Sequence, residues 1–222
     1  MLPVDLTRGV AVKPLQTIGM KKGWIYEVIV STYRGNKPHS APIGVWTDDF
    51  VALNMEIYSD SGTLKSIMDL KDFTVNLVAD VAVFYSSLFD EANMEYRDSL
   101  NINAPVVRSA SAIIEARLKK VEDKGNMFHL ESEPLNVEVN EPVKLINRAE
   151  ALAIESLILA TKLPYLPGPK AQATLRENYR IVRKVAPGSQ YETIVGKLVE
   201  ALDAPGSGKF PCSYGKSGDQ PK

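Results

Sequence analysis

The residues with the most chemical capacity lie between positions 25 and 76. Tyr58-Ser-Asp-Ser-Gly-Thr-Leu-Lys-Ser-Ile67 sets several hydroxyls and a glycine directly before Leu64, Ile67 and Met68, whose spacing predicts a short amphipathic helix. A helix N-terminus presents free N–H groups and the positive end of the helix dipole, so Ser61 and Thr63 have the chemistry of a phosphate cradle. An ordinary helix cap accounts for the same two residues without any ligand, and spacing alone leaves both readings open. Upstream, Ser40-Ala-Pro-Ile-Gly-Val45 predicts a strand of small residues. Pro42 lacks an N–H, which marks an edge, a bulge or a place where a ligand interrupts the ladder.

Other chemistries find little support. His39 and His129 fall on different predicted strands with no carboxylate or cysteine at metal-ligand spacing, which argues against a zinc site. Cys212 is the only cysteine, so neither an internal disulfide nor a cysteine metal cluster can form within one chain. There is no Gly-x-Ser-x-Gly elbow, Walker loop or Gly-x-Gly-x-x-Gly turn. With 26 basic and 27 acidic residues the net charge is -1, leaving no overall field to attract nucleic acid or an anionic membrane. No apolar run reaches the length of a membrane span and the N-terminus lacks a signal pattern, so a soluble cytoplasmic protein is expected.

The elements that must position these residues follow from periodicity. Residues 1–23, with Pro3, Gly9, Pro14, Gly19 and Gly23, predict a loosely structured leader. From Trp24 to Tyr33 a β-branched and aromatic alternation predicts a strand, Arg34-Gly-Asn-Lys37 a turn, His39–Trp46 the return strand, and residues 50–57 a third. Asp72–Val78 predicts a strand with Phe73, Val75 and Leu77 on one face and Asn76 on the other. Residues 83–89 predict a helical turn, 91–109 a surface loop, and Ser111–Val121 with Met127–Val139 a long hairpin broken near Pro134. About six strands suffice to close a small antiparallel barrel. Capping-box spacings at Asn147-Arg-Ala-Glu150 and Ser189-Gln-Tyr-Glu192, with Pro169 between them, then predict three helices. The last of these is expected to bury Ile194, Val195, Leu198, Val199 and Leu202, and residues 204–222 to be disordered. The expected division is leader 1–23, barrel 24–140, helical subdomain 141–203 and tail 204–222.

Tyr26-Glu-Val-Ile-Val-Ser-Thr32, Pro38-His-Ser-Ala-Pro-Ile-Gly44, Ser61-Gly-Thr63 and Val75-Asn76, in that order, resemble the FMN-binding split-barrel superfamily. With Ile114-Glu-Ala-Arg117 and the helical segment Asn147–Leu163, the chain more closely resembles an uncharacterised archaeal and bacterial branch, a domain of unknown function, over about residues 25 to 202. The resemblance implies an α+β fold, an antiparallel split β-barrel with a C-terminal three-helix subdomain. It implies FMN as cofactor, shared at a homodimer interface, with Ser61 and Thr63 at the phosphate, Thr32 and Ser40 close by, and Pro42, Ile43 and Asn76 around the ring or ribityl chain. Similar sequences often carry an arginine or lysine in the phosphate turn, where this chain has Ser59 and Gly62, so Lys65 or a distant arginine would have to substitute. The activity implied is that of a flavin-dependent oxidoreductase of unspecified substrate. The alternative is a flavin-binding or ligand-free assembly module without catalysis. No catalytic residue is singled out.

Overall fold

Gly35, with φ +61°, makes the turn that Arg34-Gly-Asn-Lys37 predicts, and it folds strand β1 (Tyr26–Arg34) back onto β2 (Lys37–Trp46). The two pair continuously from Tyr26↔Val45 to Arg34↔Lys37. In this computed structural model the described residues are 14–140, 142–163 and 168–203. They form two compact units that divide between Asn147 and Arg148.

The first unit is a closed six-stranded antiparallel barrel. Beyond the first hairpin come β3 (Leu53–Tyr58), β4 (Asp72–Leu77), β7 (Ala112–Asp123) and β8 (Met127–Val139), joined in the order β1-β2-β3-β8-β7-β4, with β4 returning to β1. Alternate residues point inward, so Val28 and Val30 of β1, Val45 of β2, Met55 of β3, Phe73 and Val75 of β4 and Leu130 of β8 make one fully buried core. Pro134 coincides with a bulge: the β7–β8 register skips one residue where Glu115↔Asn136 gives way to Ala116↔Pro134.

Helix α2 (Gly62–Leu70) follows β3, with Leu64 and Ile67 in the barrel core. Its N-cap is Ser61, whose hydroxyl accepts from the Thr63 N–H at 3.2 Å. It ends at Lys71, whose left-handed φ of 66° lets its N–H donate to the Ile67 carbonyl at 2.9 Å.

Several elements depart from sequence expectation. The third strand starts at Leu53 because residues 49–52 are a turn: Asp49 Oδ1 accepts from Val51 N and Ala52 N, and Phe50 takes φ 67°. Part of the expected leader is core. Helix α1 (Pro14–Thr17) and the residues after it bury Leu15, Ile18 and Met20 in the barrel. Residues 91–109 are not a plain surface loop. After α3 (Val81–Phe89) and a 3₁₀ turn (Glu91–Asn93), strands β5 (Tyr96–Asp98) and β6 (Pro105–Val107) pair as a small second sheet. This sheet lies outside the barrel wall, where Val106 and Val107 pack with Ile29, Val78, Ala110 and Ile113 as a second core. Glu115 secures the 99–104 connection, accepting from Leu100 N, Asn101 N and Asn101 Nδ2.

The second unit holds α4 (Arg148–Lys162), α5 (Gly168–Val185) and α6 (Gln190–Asp203). Helix α4 buries its small face, Ala149, Ala153, Ser156 and Ala160, and Asn178 of α5 donates to Ser156 Oγ at 3.1 Å. At the start of α6 the expected capping box forms on Ser189 and Glu192, with only its return bond moved one residue upstream. Ser189 Oγ accepts from Glu192 N, and the Glu192 carboxylate accepts from Gly188 N. Ile194 is exposed rather than buried, because the face of α6 that meets α5 is the Val195, Gly196, Val199 side, with Gly196 against the Tyr179 ring. The expected disorder of residues 204–222 concerns residues outside those described.

Candidate functional site

The site begins where a ladder stops. β2 and β3 are hydrogen-bonded only at Val45↔Met55 and Trp46↔Asn54, after which they part. Pro42, pairing with Ile29 on its other side, stands on the open stretch. A cleft of about 270 Å³ fills the gap, walled by residues 41–44 of β2 and 56–58 of β3 and closed at one end by Ser61 and Thr63 of α2. Strand edges that part in this way present main-chain hydrogen-bonding groups that a ligand is able to use.

A cation stands at the closed end, outside the cleft's own lining. Arg34, at the last position of β1, extends its guanidinium across the first turn of α2, so that a Cβ built on Gly62 would lie 2.9 Å from its Cζ. Only glycine leaves that room. His39 lies beside it: its Nε2 is 2.9 Å from Arg34 Nη2 and 2.9 Å from Thr63 Oγ1, while its Nδ1 is 2.9 Å from Glu91 Oε1. A guanidinium only donates, so Nε2 is an acceptor; the proton then sits on Nδ1 and is donated to Glu91. Among the described residues no carboxylate pairs with Arg34. A cation held at the positive end of a helix without a counter-charge makes a site attractive to an anion.

The residues singled out from sequence divide into two sets. Pro42, Ile43, Ser61 and Thr63 line the one cleft. Thr32, Ser40 and Asn76 are buried and do not line it. Ser40 Oγ is 2.6 Å from Ser31 Oγ and accepts from the Tyr96 hydroxyl at 2.9 Å. Burial above all, with the charge of Glu91 adding and the Ser40 bond opposing, raises the Tyr96 phenol above the usual tyrosine range. Asn76 Nδ2 lies within donating distance of Ile29 O, Ser31 Oγ and Thr74 Oγ1, and its Oδ1 accepts from Val107 N. Asn76 therefore ties β6 to the outside of β1 and β4. Thr32, opposite His39 in register, has a buried Oγ1 with no partner among the described residues.

Arg34, His39 and Glu91 escaped sequence reasoning. The one available signal was Gly62 itself, standing where a basic residue was expected. A second cleft, about 300 Å³, lies between α3 and the β6 end around Ser86, Met94 and Arg108, apart from this cluster. Among the described residues no group of acidic, histidine and cysteine side chains is arranged to hold a metal, and no helix is long and apolar enough to cross a membrane.

A closed antiparallel barrel that parts between two of its strands, with a helix start set at the opening, is a split β-barrel, and the whole chain is of the α+β class. The chain belongs to the DUF447 family: the family's N-terminal domain, described as a protein of unknown function, matches residues 26–141. An uncharacterised protein of Methanocaldococcus jannaschii is 28% identical over 144 residues, covering 63% of this chain and 74% of its own. The crystal structure of an FMN-bound DUF447 protein from Methanosarcina mazei superposes with a TM-score of 0.51 at 24% identity, covering 85% of this chain and all of its own, and establishes the common fold.

Proposed function

We propose that this protein binds FMN in the β2–β3 cleft and works as a flavin-dependent oxidoreductase. The observation that carries the reading is the Arg34 guanidinium over the first turn of α2, bonded to His39 but paired with no carboxylate among the described residues, at one end of a cleft whose sides are parted strand edges. The residues fit the group. Glycine at position 62 makes room for the Arg34 guanidinium, hydroxyls from Ser61 and Thr63 flank it, and the cleft beyond is bordered by the small residues Ala41, Pro42 and Gly44. The FMN-bound relative of the same family and fold supports it.

Bound FMN would supply one- and two-electron redox chemistry that side chains cannot perform. This chain's part is to bind and orient. Arg34, Ser61 and Thr63 would hold the phosphate, and residues 41–44, Pro42 and Ile43 among them, would hold the ring or ribityl chain. Ser40 and Asn76 would support these strands from the outer face, through Tyr96 and Val107, and Thr32 from its place opposite His39. The assembly proposed is a cytoplasmic homodimer, and α3 offers a face for a second copy, since Val81, Tyr85, Leu88 and Phe89 form an outward stripe 58 to 73% exposed.

Absorption of freshly purified protein, followed by extraction and mass identification of the chromophore, tests the cofactor. Ser61→Ala with Thr63→Ala should weaken FMN binding by about 1–3 kcal/mol in titration calorimetry, the worth of two hydrogen bonds to a charged group. Unchanged affinity with the fold intact removes the phosphate from this turn. Anaerobic bleaching of the bound flavin by NADH or NADPH supports a reductase. Flavin reducible by dithionite yet inert to both nucleotides favours a flavin-binding module without nicotinamide-linked activity.

A further inference from the structure

Arg34 is an exposed, flexible side chain at a strand end, and the positive end of α2 gives its guanidinium no electrostatic reason to rest there. The contact that retains it is His39. We propose that His39 is a positioning residue for the phosphate site, holding Arg34 over Gly62 and the Thr63 hydroxyl beside it. The inference rests on the FMN reading above.

The chain of bonds is directional. Glu91 accepts from His39 Nδ1 and, at 3.3 Å, from the Ser40 N–H, so its carboxylate is registered against the β2 backbone as well as the ring. With Nδ1 committed as donor, the imidazole turns its Nε2 lone pair toward Arg34 and Thr63, both at 2.9 Å. One Arg34 nitrogen is thereby tethered to a neutral acceptor while the rest of the fork stays free for an anion. A carboxylate in the place of His39 would fix Arg34 as well but cancel its charge. A neutral imidazole fixes it and leaves the charge available. Thr63, sharing the same lone pair, has only to rotate its hydroxyl to donate to a phosphate oxygen.

The proposal separates affinity for the phosphate from affinity for the ring, and two flavins read it. FMN and riboflavin would each be titrated into the full chain, wild type and His39→Ala, with thermal unfolding to confirm the fold. The expected result is a roughly tenfold loss of FMN affinity in H39A with riboflavin affinity unchanged, since a loosened charged contact is lost only for the phosphorylated ligand. His39→Gln, whose amide both accepts and donates, should recover most of the preference. Glu91→Ala, at an exposed position outside the barrel, should lower the preference in the same sense and gives the reading if H39A does not fold. An H39A or E91A protein with the wild-type FMN-to-riboflavin ratio overturns the inference, as does equal loss of both flavins. If the wild type itself binds FMN no better than riboflavin, the placement of the phosphate falls and takes this inference with it.

Discussion

The guanidinium of Arg34 fills the volume that a side chain in place of Gly62 would need. The barrel thus brings its cation to the helix turn from the end of β1 rather than from the turn itself.

Gly62→Ala should separate stability from binding. Alanine suits a first helical turn and restricts the unfolded chain, so stability should hold or rise by about 0.4–1 kcal/mol. Arg34 must swing away, and FMN affinity should fall roughly tenfold. Denaturant unfolding and flavin titration on the same sample measure both; an FMN affinity equal to wild type would show that Arg34 does not touch the phosphate.

Asn76→Ala should cost about 2–4 kcal/mol in urea unfolding, because Val107 N–H and Ile29 C=O are left buried without this partner. The m-value should stay that of the wild type if the second sheet remains docked. A loss below about 1 kcal/mol would mean that the amide is not the tie between β6 and the barrel.

Tyr96 sets an alkaline limit. Its folded pKa is raised, chiefly by burial, so the native state favours the neutral phenol more than the unfolded chain does. That stability is present in full below the ordinary tyrosine value of about 10 and is lost as pH climbs through the folded value. The unfolding midpoint should therefore fall with rising pH in this range. Tyr96→Phe should reduce that slope, leaving the parts due to Tyr26 and Tyr33, which burial also raises, and should cost about 1 kcal/mol at neutral pH for the lost bond to Ser40.

What could be read from sequence was what depends on near neighbours. The alternation in β1, the Gly35 turn, the Ser61 cap and the bulge near Pro134 each declare themselves within a few residues. Strands β5 and β6 did not. At three residues each they carry too little periodicity to detect, and Val106 and Val107 are buried because Ile29 and Ile113 lie across from them. Ser61, Thr63, Pro42 and Ile43 are near in sequence to the features that marked them. Arg34, His39 and Glu91 come together only once the first hairpin forms and α3 delivers the 3₁₀ turn to its flank. His39 in particular had no partner at any recognisable spacing, so its chemistry was invisible until Glu91 arrived from another element.

The brevity of the β2–β3 ladder has a mechanical side. β7 and β8 pair along almost their whole length, and β1 and β2 along all of theirs, whereas β2 and β3 share two rungs. Stiffness in a barrel follows its ladders, so the compliant member is the β1–β2 hairpin, which is joined to its neighbours by two short ladders, three rungs to β4 and two to β3. Val45 and Met55 form the rung that borders the gap. A change in the width of the gap would therefore fall to that hairpin, because β3 is held to β8 at all six of its residues, from Leu53↔Ser132 to Tyr58↔Met127.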